Sequence, residues 1–286
     1  DDAFAASRVR GREPVGFDYE TTSDKKGRWF DAHGALVLSY SFAPRPGEAY
    51  HVGALPIAFR QVLENPLVPV IAHNAKFEYL KSKQLGITLA NFHCTMVMAF
   101  MLQQHALSLK ALSRQYLGVD PRSFKEVTTV VDRTERVMKA GKDKGKVRVT
   151  EKKRQVSIAD VPLTELIDYA CSDSDNALRL FPIFKAELQR LDMWELYTDV
   201  ELPLIPVLAR MEEWGVGVDE SYTEALLKAL VTEIAAARAR CYATGLPASC
   251  DVGSNDQLAH TLEVLGAPIT ERTEAKHQLK TDEASL

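Results

Sequence analysis

Residues 14–24 read PVGFDYETTSD, a β-prone run that carries two carboxylates, Asp18 and Glu20, two positions apart. Side chains alternate along a strand, so both carboxylates are expected on one face, with Phe17 and Tyr19 on the other. Two like charges about 7 Å apart repel, and burying them is costly unless a positive charge lies between them. A divalent cation would supply that charge. For an isolated D-x-E pattern, an exposed pair at a strand end is the alternative.

The segments around this strand predict an α/β fold. The stretches ALVLSYSFAP and EAYHVG, with short links, indicate an antiparallel meander, and LVPVIAHN is typical of a strand in a covered sheet. A helix is expected from residue 75 to 85, ending at Gly86, and a long helix from near Leu163.

Length and composition set broad limits. A chain of 286 residues, 46% of them hydrophobic, can bury a large core in one domain or two. No apolar stretch is long enough to span a bilayer, and DDAFAASRVRGREP lacks the pattern of a signal peptide. We therefore expect a cytoplasmic protein without membrane contact. The four cysteines form no C-x-x-C pair, which argues against a zinc site or a disulfide framework.

One segment has a charge opposite to that of the rest of the chain. Between Arg122 and Arg154 there are twelve Lys or Arg and five Asp or Glu, a balance of +7 in a chain with net charge −4. This basic insertion, taken as residues 122–157, is expected to be a solvated loop or hairpin. Contact with DNA phosphates is favoured over a solvated insertion without a role.

Two further stretches place polar side chains at helical spacing. In HNAKFEYLKSK, Asn74 and Glu78 are four residues apart, and in DYACSDSD so are Tyr169 and Asp173. Each stretch alone is explained by an amphipathic or acidic helix surface. With Asp18 and Glu20, the residues Glu78, Tyr169 and Asp173 give four carboxylates and one phenol, a set of oxygen ligands that suits Mg²⁺ or Mn²⁺ better than zinc.

In this order, FDYET, HNAKFEYL and YACSD resemble the three exonuclease motifs of the tyrosine-containing DEDD 3′–5′ exonucleases. The later segments VELPLIPVLARMEEWGVGVD, GSNDQLAHTLEVLGAPI and KTDEASL are similar to the opening of the polymerase domain of family A DNA polymerases. The resemblance implies a ribonuclease-H-like domain, a mixed five-stranded sheet flanked by helices, over residues 1–195. A mainly helical N-terminal part of a polymerase domain is implied over residues 196–286.

The resemblance also implies a site with two Mg²⁺ or Mn²⁺ ions that cuts the 3′ end of single-stranded DNA as a proofreading module. Asp18 would bridge the ions, Glu20 and Asp173 would hold the ion that carries the attacking water, and Glu78 would serve the other. Tyr169 would hydrogen-bond the water. The substrate-binding residues would be Thr21, Asn74, Lys76 and Phe77.

Glu78 stands where the family usually has Asp, and the extra methylene moves the carboxylate by roughly 1 Å. An active enzyme is favoured, while a lapsed DNA-binding or structural module and a ribonuclease D-like exoribonuclease remain alternatives. No segment resembles the polymerase motifs D-Y-S-x-I-E-L-R or H-D-E, so this chain alone is not expected to polymerise. A monomer is expected, with a polymerase domain in cis in the parent protein and a location at the nucleoid, or in the host cytoplasm for a viral source.

Overall fold

The computed structural model describes residues 12–22, 34–53, 57–137, 147–267 and 272–273. Its centre is a mixed sheet of five strands in the order β3-β2-β1-β4-β5. Strands β1, β2 and β3 pair antiparallel, whereas β4 runs parallel to β1 and β5 parallel to β4. The predicted meander and the α/β class are therefore confirmed. The strands are β1 Val15–Thr21, β2 Val37–Arg45, β3 Glu48–Val52, β4 Val70–Ala72 and β5 Phe92–Cys94.

The alternation along β1 separates its two faces as the sequence predicts. Phe17 and Tyr19 are buried in an aromatic cluster with Tyr40, Phe42 and Phe59. The rings of Phe17 and Tyr19 meet edge to face, with centroids 4.7 Å apart. Burying these large rings on one face fixes the register of β1, since a shift by one residue would place Asp18 in the apolar cluster.

Helices cover both faces of the sheet. The longest, α6, packs on β1, β2 and β4 and carries an apolar stripe that includes Leu178, Phe181 and Phe184. It continues through Pro182 to Arg190. In the described part of the chain up to residue 215, the α-helices are α1 Ile57–Leu63, α2 Ala75–Gln84, α3 Thr95–Met101, α4 Leu109–Leu117, α5 Phe124–Val127, α6 Leu163–Arg190, α7 Trp194–Leu196 and α8 Leu202–Trp214.

The basic segment contains a two-stranded antiparallel ribbon. Strand β6, Thr129–Val137, pairs with β7, Val147–Gln155, in continuous register. The ribbon forms its own sheet, separate from the five-stranded one. Of the two expected forms, loop or hairpin, the structure shows a hairpin, although residues 138–146 of the segment lie outside the described residues.

The chain divides into two compact units, Asp1–Gly215 and Val216–Leu286. In the second unit, helices α9, Glu220–Ala243, and α10, Asn255–Val264, account for most of the described residues, as expected for a mainly helical segment. The functional domain boundary after residue 195 remains a prediction. Within the described part of the chain, no helix has both the length and the apolar character needed to cross a bilayer.

Candidate active site

Helix α6 lies directly against β1 at a glycine. A Cβ atom added at Gly16 would be 2.1 Å from the carbonyl oxygen of Ser174, so only glycine permits this approach. On the next strand, the hydroxyl of Ser41 donates a hydrogen bond of 2.7 Å to the carbonyl oxygen of Ala170. These two contacts hold α6 on the face of the sheet from which Asp18 and Glu20 project.

The predicted catalytic residues meet in one cleft of about 800 Å³. Asp18 and Glu20 come from β1, Tyr169 and Asp173 from successive turns of α6, and Glu78 from α2. Residues that are more than 150 positions apart in the chain thus line a single cavity. All the residues predicted to hold metal lie among its lining residues.

Glu78 reaches the site where β4 has ended. Strand β1 pairs with β4 only at Val15 and Gly16, so the sheet is open on this side further along β1. There the backbone N–H of Tyr19 donates a hydrogen bond of 3.1 Å to Oε2 of Glu78, whose side chain is buried. The longer glutamate side chain therefore satisfies a strand N–H as well as placing a carboxylate beside Asp18.

Lys110, at the start of α4, places a positive charge against two residues of the cleft, Tyr169 and Asp173, and no sequence pattern predicted this contact. Its ammonium group forms an ion pair with Asp173 and lies 4.4 Å from the centroid of the Tyr169 ring. A lysine in the first turn of a helix is unfavourable because its charge opposes the helix dipole. In the sequence, this unfavourable position is a signal that a negatively charged partner lies nearby.

Burial and mutual repulsion perturb the carboxyl groups. Burial raises the pKa of Asp18 to about 7, although the charge of Lys110 opposes this shift. Burial, and next the charge of Asp18, raise the pKa of Glu20 and of Glu78 well above the usual range. Burial and the charges of Glu20 and Asp18 raise the pKa of Tyr169, so its hydroxyl remains protonated and can donate a hydrogen bond.

The donor set fits a hard divalent cation. Oε1 of Glu20 is buried without a hydrogen-bond partner, and an unpaired carboxylate oxygen of this kind is costly unless a cation binds it. The carboxylates share the cleft without converging on one point, because Asp173 turns to Lys110 and Glu78 to the Tyr19 N–H. Among the described residues, no three His, Cys, Asp or Glu side chains are already grouped around one ion position.

Three of the four predicted substrate-binding residues line the cleft: Thr21, Asn74 and Phe77. Asn74 adopts the left-handed conformation, with φ of 64°, at the N-cap of α2, where its side chain makes no capping hydrogen bond. Lys76 is not among the lining residues. Its ammonium group pairs with Glu212 on α8.

Both ring nitrogens of His73 contact protein atoms, so the residue has a structural role at the site and is not assigned as a metal ligand. Nδ1 lies 2.9 Å from the Thr95 hydroxyl, and Nε2 donates to the Leu107 carbonyl oxygen at 2.9 Å. Burial lowers the pKa of His73 to about 4, which keeps the ring neutral. The residue therefore ties the end of β4 to the turn that precedes Lys110.

We expect Lys110→Met to destabilise the protein by about 3 kcal/mol in EDTA at pH 7, because the largely buried Asp173 carboxylate loses its ion-pair partner. Mn²⁺ should then raise the melting temperature more than it does in the wild type, since the cation replaces the missing charge. Arg114→Met on the same helix is the control, because the Arg114–Asp120 pair is exposed and contributes little. Equal effects of the two substitutions on thermal unfolding would contradict this role for Lys110.

Sequence comparison relates the chain to bacterial polymerases. It is 33% identical over 189 residues to DNA polymerase I of Rhizobium leguminosarum, covering 65% of this chain and 16% of the relative. It is 27% identical over 301 aligned positions to DNA polymerase I of Pseudomonas aeruginosa, covering 98% of this chain and 30% of the relative. The chain thus spans less than a third of the length of these relatives.

Solved structures support the fold. The polymerase domain of Pol1 from M. smegmatis, in complex with DNA primer-template and dNTP, matches with a TM-score of 0.57 at 19% identity, covering 98% of this chain and 42% of that one. Brucella melitensis NrnC with bound Mg²⁺ matches at 0.52 and 16% identity, covering 73% and 88%. Escherichia coli RNase D matches at 0.51 and 10% identity, covering 73% and 48%. At these identities the matches show the fold alone, and the ribonuclease-H-like exonuclease fold is confirmed.

The sequence model of the 3′–5′ exonuclease domain of family A DNA polymerases matches residues 3–189, which include every residue of the cleft described above. The protein therefore belongs to the family of 3′–5′ exonuclease domains of family A DNA polymerases.

Proposed function

We propose that the protein is a divalent-metal-dependent 3′–5′ exodeoxyribonuclease, which removes nucleotides from the 3′ end of single-stranded or frayed DNA as a proofreading module. The observation that supports this most strongly is the cleft that joins Asp18, Glu20, Glu78 and Asp173 with Tyr169. The parent protein would carry a polymerase domain in cis.

The carboxylates of Asp18, Glu20, Glu78 and Asp173 would hold two Mg²⁺ or Mn²⁺ ions. When bound, such ions lower the pKa of water and neutralise charge on a phosphodiester. The raised carboxyl pKa values mean that the protons on Asp18, Glu20 and Glu78 compete with the metal, so activity should rise with pH.

The remaining residues of the site position the reactants. The protonated Tyr169 hydroxyl donates a hydrogen bond to the attacking water, and Lys110 holds both the Tyr169 ring and Asp173 in place. Phe77 offers an aromatic face for the terminal base, while Thr21 and the Asn74 amide supply polar groups at the cleft wall.

The test uses single-stranded DNA labelled at either the 3′ or the 5′ end, with Mg²⁺, Mn²⁺ or EDTA. We expect metal-dependent release of the 3′ label first and a descending ladder of 5′-labelled products. A matched RNA oligonucleotide separates an exoribonuclease from an exodeoxyribonuclease. Binding of single-stranded DNA without cleavage in either metal would favour a lapsed site.

Glu78→Gln tests whether the glutamate completes the site. The amide oxygen of Gln can still accept the Tyr19 N–H, so the fold should keep its stability while the metal loses a charged ligand. We expect the cleavage rate to fall by about a hundredfold or more, measured at saturating Mg²⁺. An unchanged rate would remove Glu78 from the metal set.

A further inference from the structure

Packing in the described part of the chain does not explain the length of the hairpin β6–β7. Its described side chains beyond the root, from Val131 to Thr134 and from Val149 to Gln155, are exposed or half-buried. A two-stranded ribbon without a covered face is marginally stable alone. Where its side chains are described, both faces of the ribbon therefore remain open to a partner.

The charge of the ribbon defines the chemistry of that partner. The exposed stretch Lys152–Arg154 carries three consecutive cations, and Arg133 lies opposite Glu151 on the neighbouring strand. Arg154 pairs with Asp132, which lies opposite Lys152. The segment from Arg122 to Arg154 has a balance of +7, against −11 for the rest of the chain, so the ribbon favours a polyanion.

The root of the ribbon forms a wall of the active-site cleft. Phe124 and Lys125 precede β6, Val156 and Ile158 follow β7, and all line the cleft. The capping box of Ser123 and Glu126 fixes the helix α5 that leads into β6.

A small apolar cluster anchors the same root: Val127, Ile158, Val161 and Leu166 are buried together, with Tyr169 packed against them. The ribbon is thus attached to the part of the protein that holds the catalytic phenol. A DNA strand whose 3′ end lies in the cleft would therefore pass the root of the ribbon at the cleft wall.

We propose that the β6–β7 ribbon binds the phosphate backbone of the single DNA strand whose 3′ end occupies the cleft, several nucleotides before the bond that is cut. The choice of a single strand rests on the proposed function, because that strand is the substrate of the cleft. Strands of nine residues extend roughly 30 Å, so the ribbon can follow several phosphates.

The test substitutes Lys152→Gln and Lys153→Gln together in the 286-residue chain. Affinity is measured in EDTA, where cleavage is not required, with a fluorescent oligothymidylate of about 16 nucleotides and one of about four. We expect about tenfold weaker binding of the longer oligonucleotide near 0.1 M salt, and a salt dependence shallower by roughly 1.4 in the log–log slope. The shorter oligonucleotide should bind as it does to the wild type.

Lys152→Arg with Lys153→Arg is the matched control, since it keeps both charges and should keep the affinity. Unchanged affinity and salt dependence of the glutamine variant with the longer oligonucleotide would overturn the proposal. Equal weakening with both oligonucleotides would also overturn it, because the effect would then lie in the cleft. Failure of the proposed function is a separate result, namely a wild-type protein that cleaves neither oligonucleotide with Mg²⁺ or Mn²⁺.

Discussion

Asp18→Asn is expected to lower the rate of metal-dependent cleavage severely and, at the same time, to stabilise the protein in EDTA. The negative charge of Asp18 repels the carboxylates of both Glu20 and Glu78, and so it raises the pKa of each. Replacing it removes a carboxylate proposed to hold the metal ions, and several kcal/mol of transition-state stabilisation with it. The rate should fall on the order of a thousandfold.

The gain in stability has a definite pH dependence. The pKa of Asp18 is raised to about 7 in the folded protein and lies near 3.8 otherwise, so the folded state binds a proton that the unfolded state lacks in this interval. Stability contributed by Asp18 is therefore present below pH 3.8 and is lost as pH rises towards 7. Asp18→Asn should exceed the wild type by on the order of 4 kcal/mol at pH 8, with no difference near pH 4.

Urea unfolding in EDTA at several pH values measures this difference, and the labelled-DNA assay measures activity on the same samples. Asp168→Asn is the control, because Asp168 is an exposed carboxylate on the helix that carries Asp173. It should alter neither quantity. Undiminished cleavage by Asp18→Asn would refute the proposed metal site, and a lower stability at pH 8 would refute the electrostatic account.

The second large effect is expected for Gly16→Ala, which adds one methyl group between β1 and α6. The new Cβ would lie 2.1 Å from the Ser174 carbonyl oxygen and 3.0 Å from Cβ of Leu178. Because both atoms belong to α6, the helix must move away from β1. Overpacking of this kind costs about 1–3 kcal/mol or more.

The displacement also separates the two halves of the site. Tyr169 and Asp173 move with α6, whereas Asp18 and Glu20 stay with β1. A shift of roughly 1 Å costs on the order of a hundredfold in rate. We therefore expect a lower melting temperature together with a lower cleavage rate at a temperature where the variant is fully folded.

Gly217→Ala serves as the matched substitution, since a Cβ there meets no atom within 4 Å. It should leave both the melting temperature and the cleavage rate close to those of the wild type. A Gly16→Ala variant with wild-type activity and stability would show that α6 does not need its close approach to β1.

Much of the site was predictable because its residues follow simple periodicities. Asp18 and Glu20 share a face by strand alternation, and Tyr169 and Asp173 share one by helical spacing, which the structure confirms. The resemblance then related these local patterns to one chemistry. Lys76 was less predictable, because its motif suggested contact with substrate, whereas its ammonium group pairs with Glu212 of a helix distant in sequence.

Sequence by itself determined the strand that carries the paired carboxylates, the helices that carry Glu78 and Asp173, and the opposite charge of the basic segment. These features depend on local alternation, helical spacing and composition. Tertiary structure alone decided that Lys110 forms an ion pair with Asp173 and that Glu78 accepts a hydrogen bond from the Tyr19 N–H. It also decided that residues at the root of the hairpin line the cleft. The physical reason is that each of these contacts joins elements from separate parts of the chain. The close packing of α6 on Gly16, for example, brings Tyr169 and Asp173 beside the carboxylates of β1.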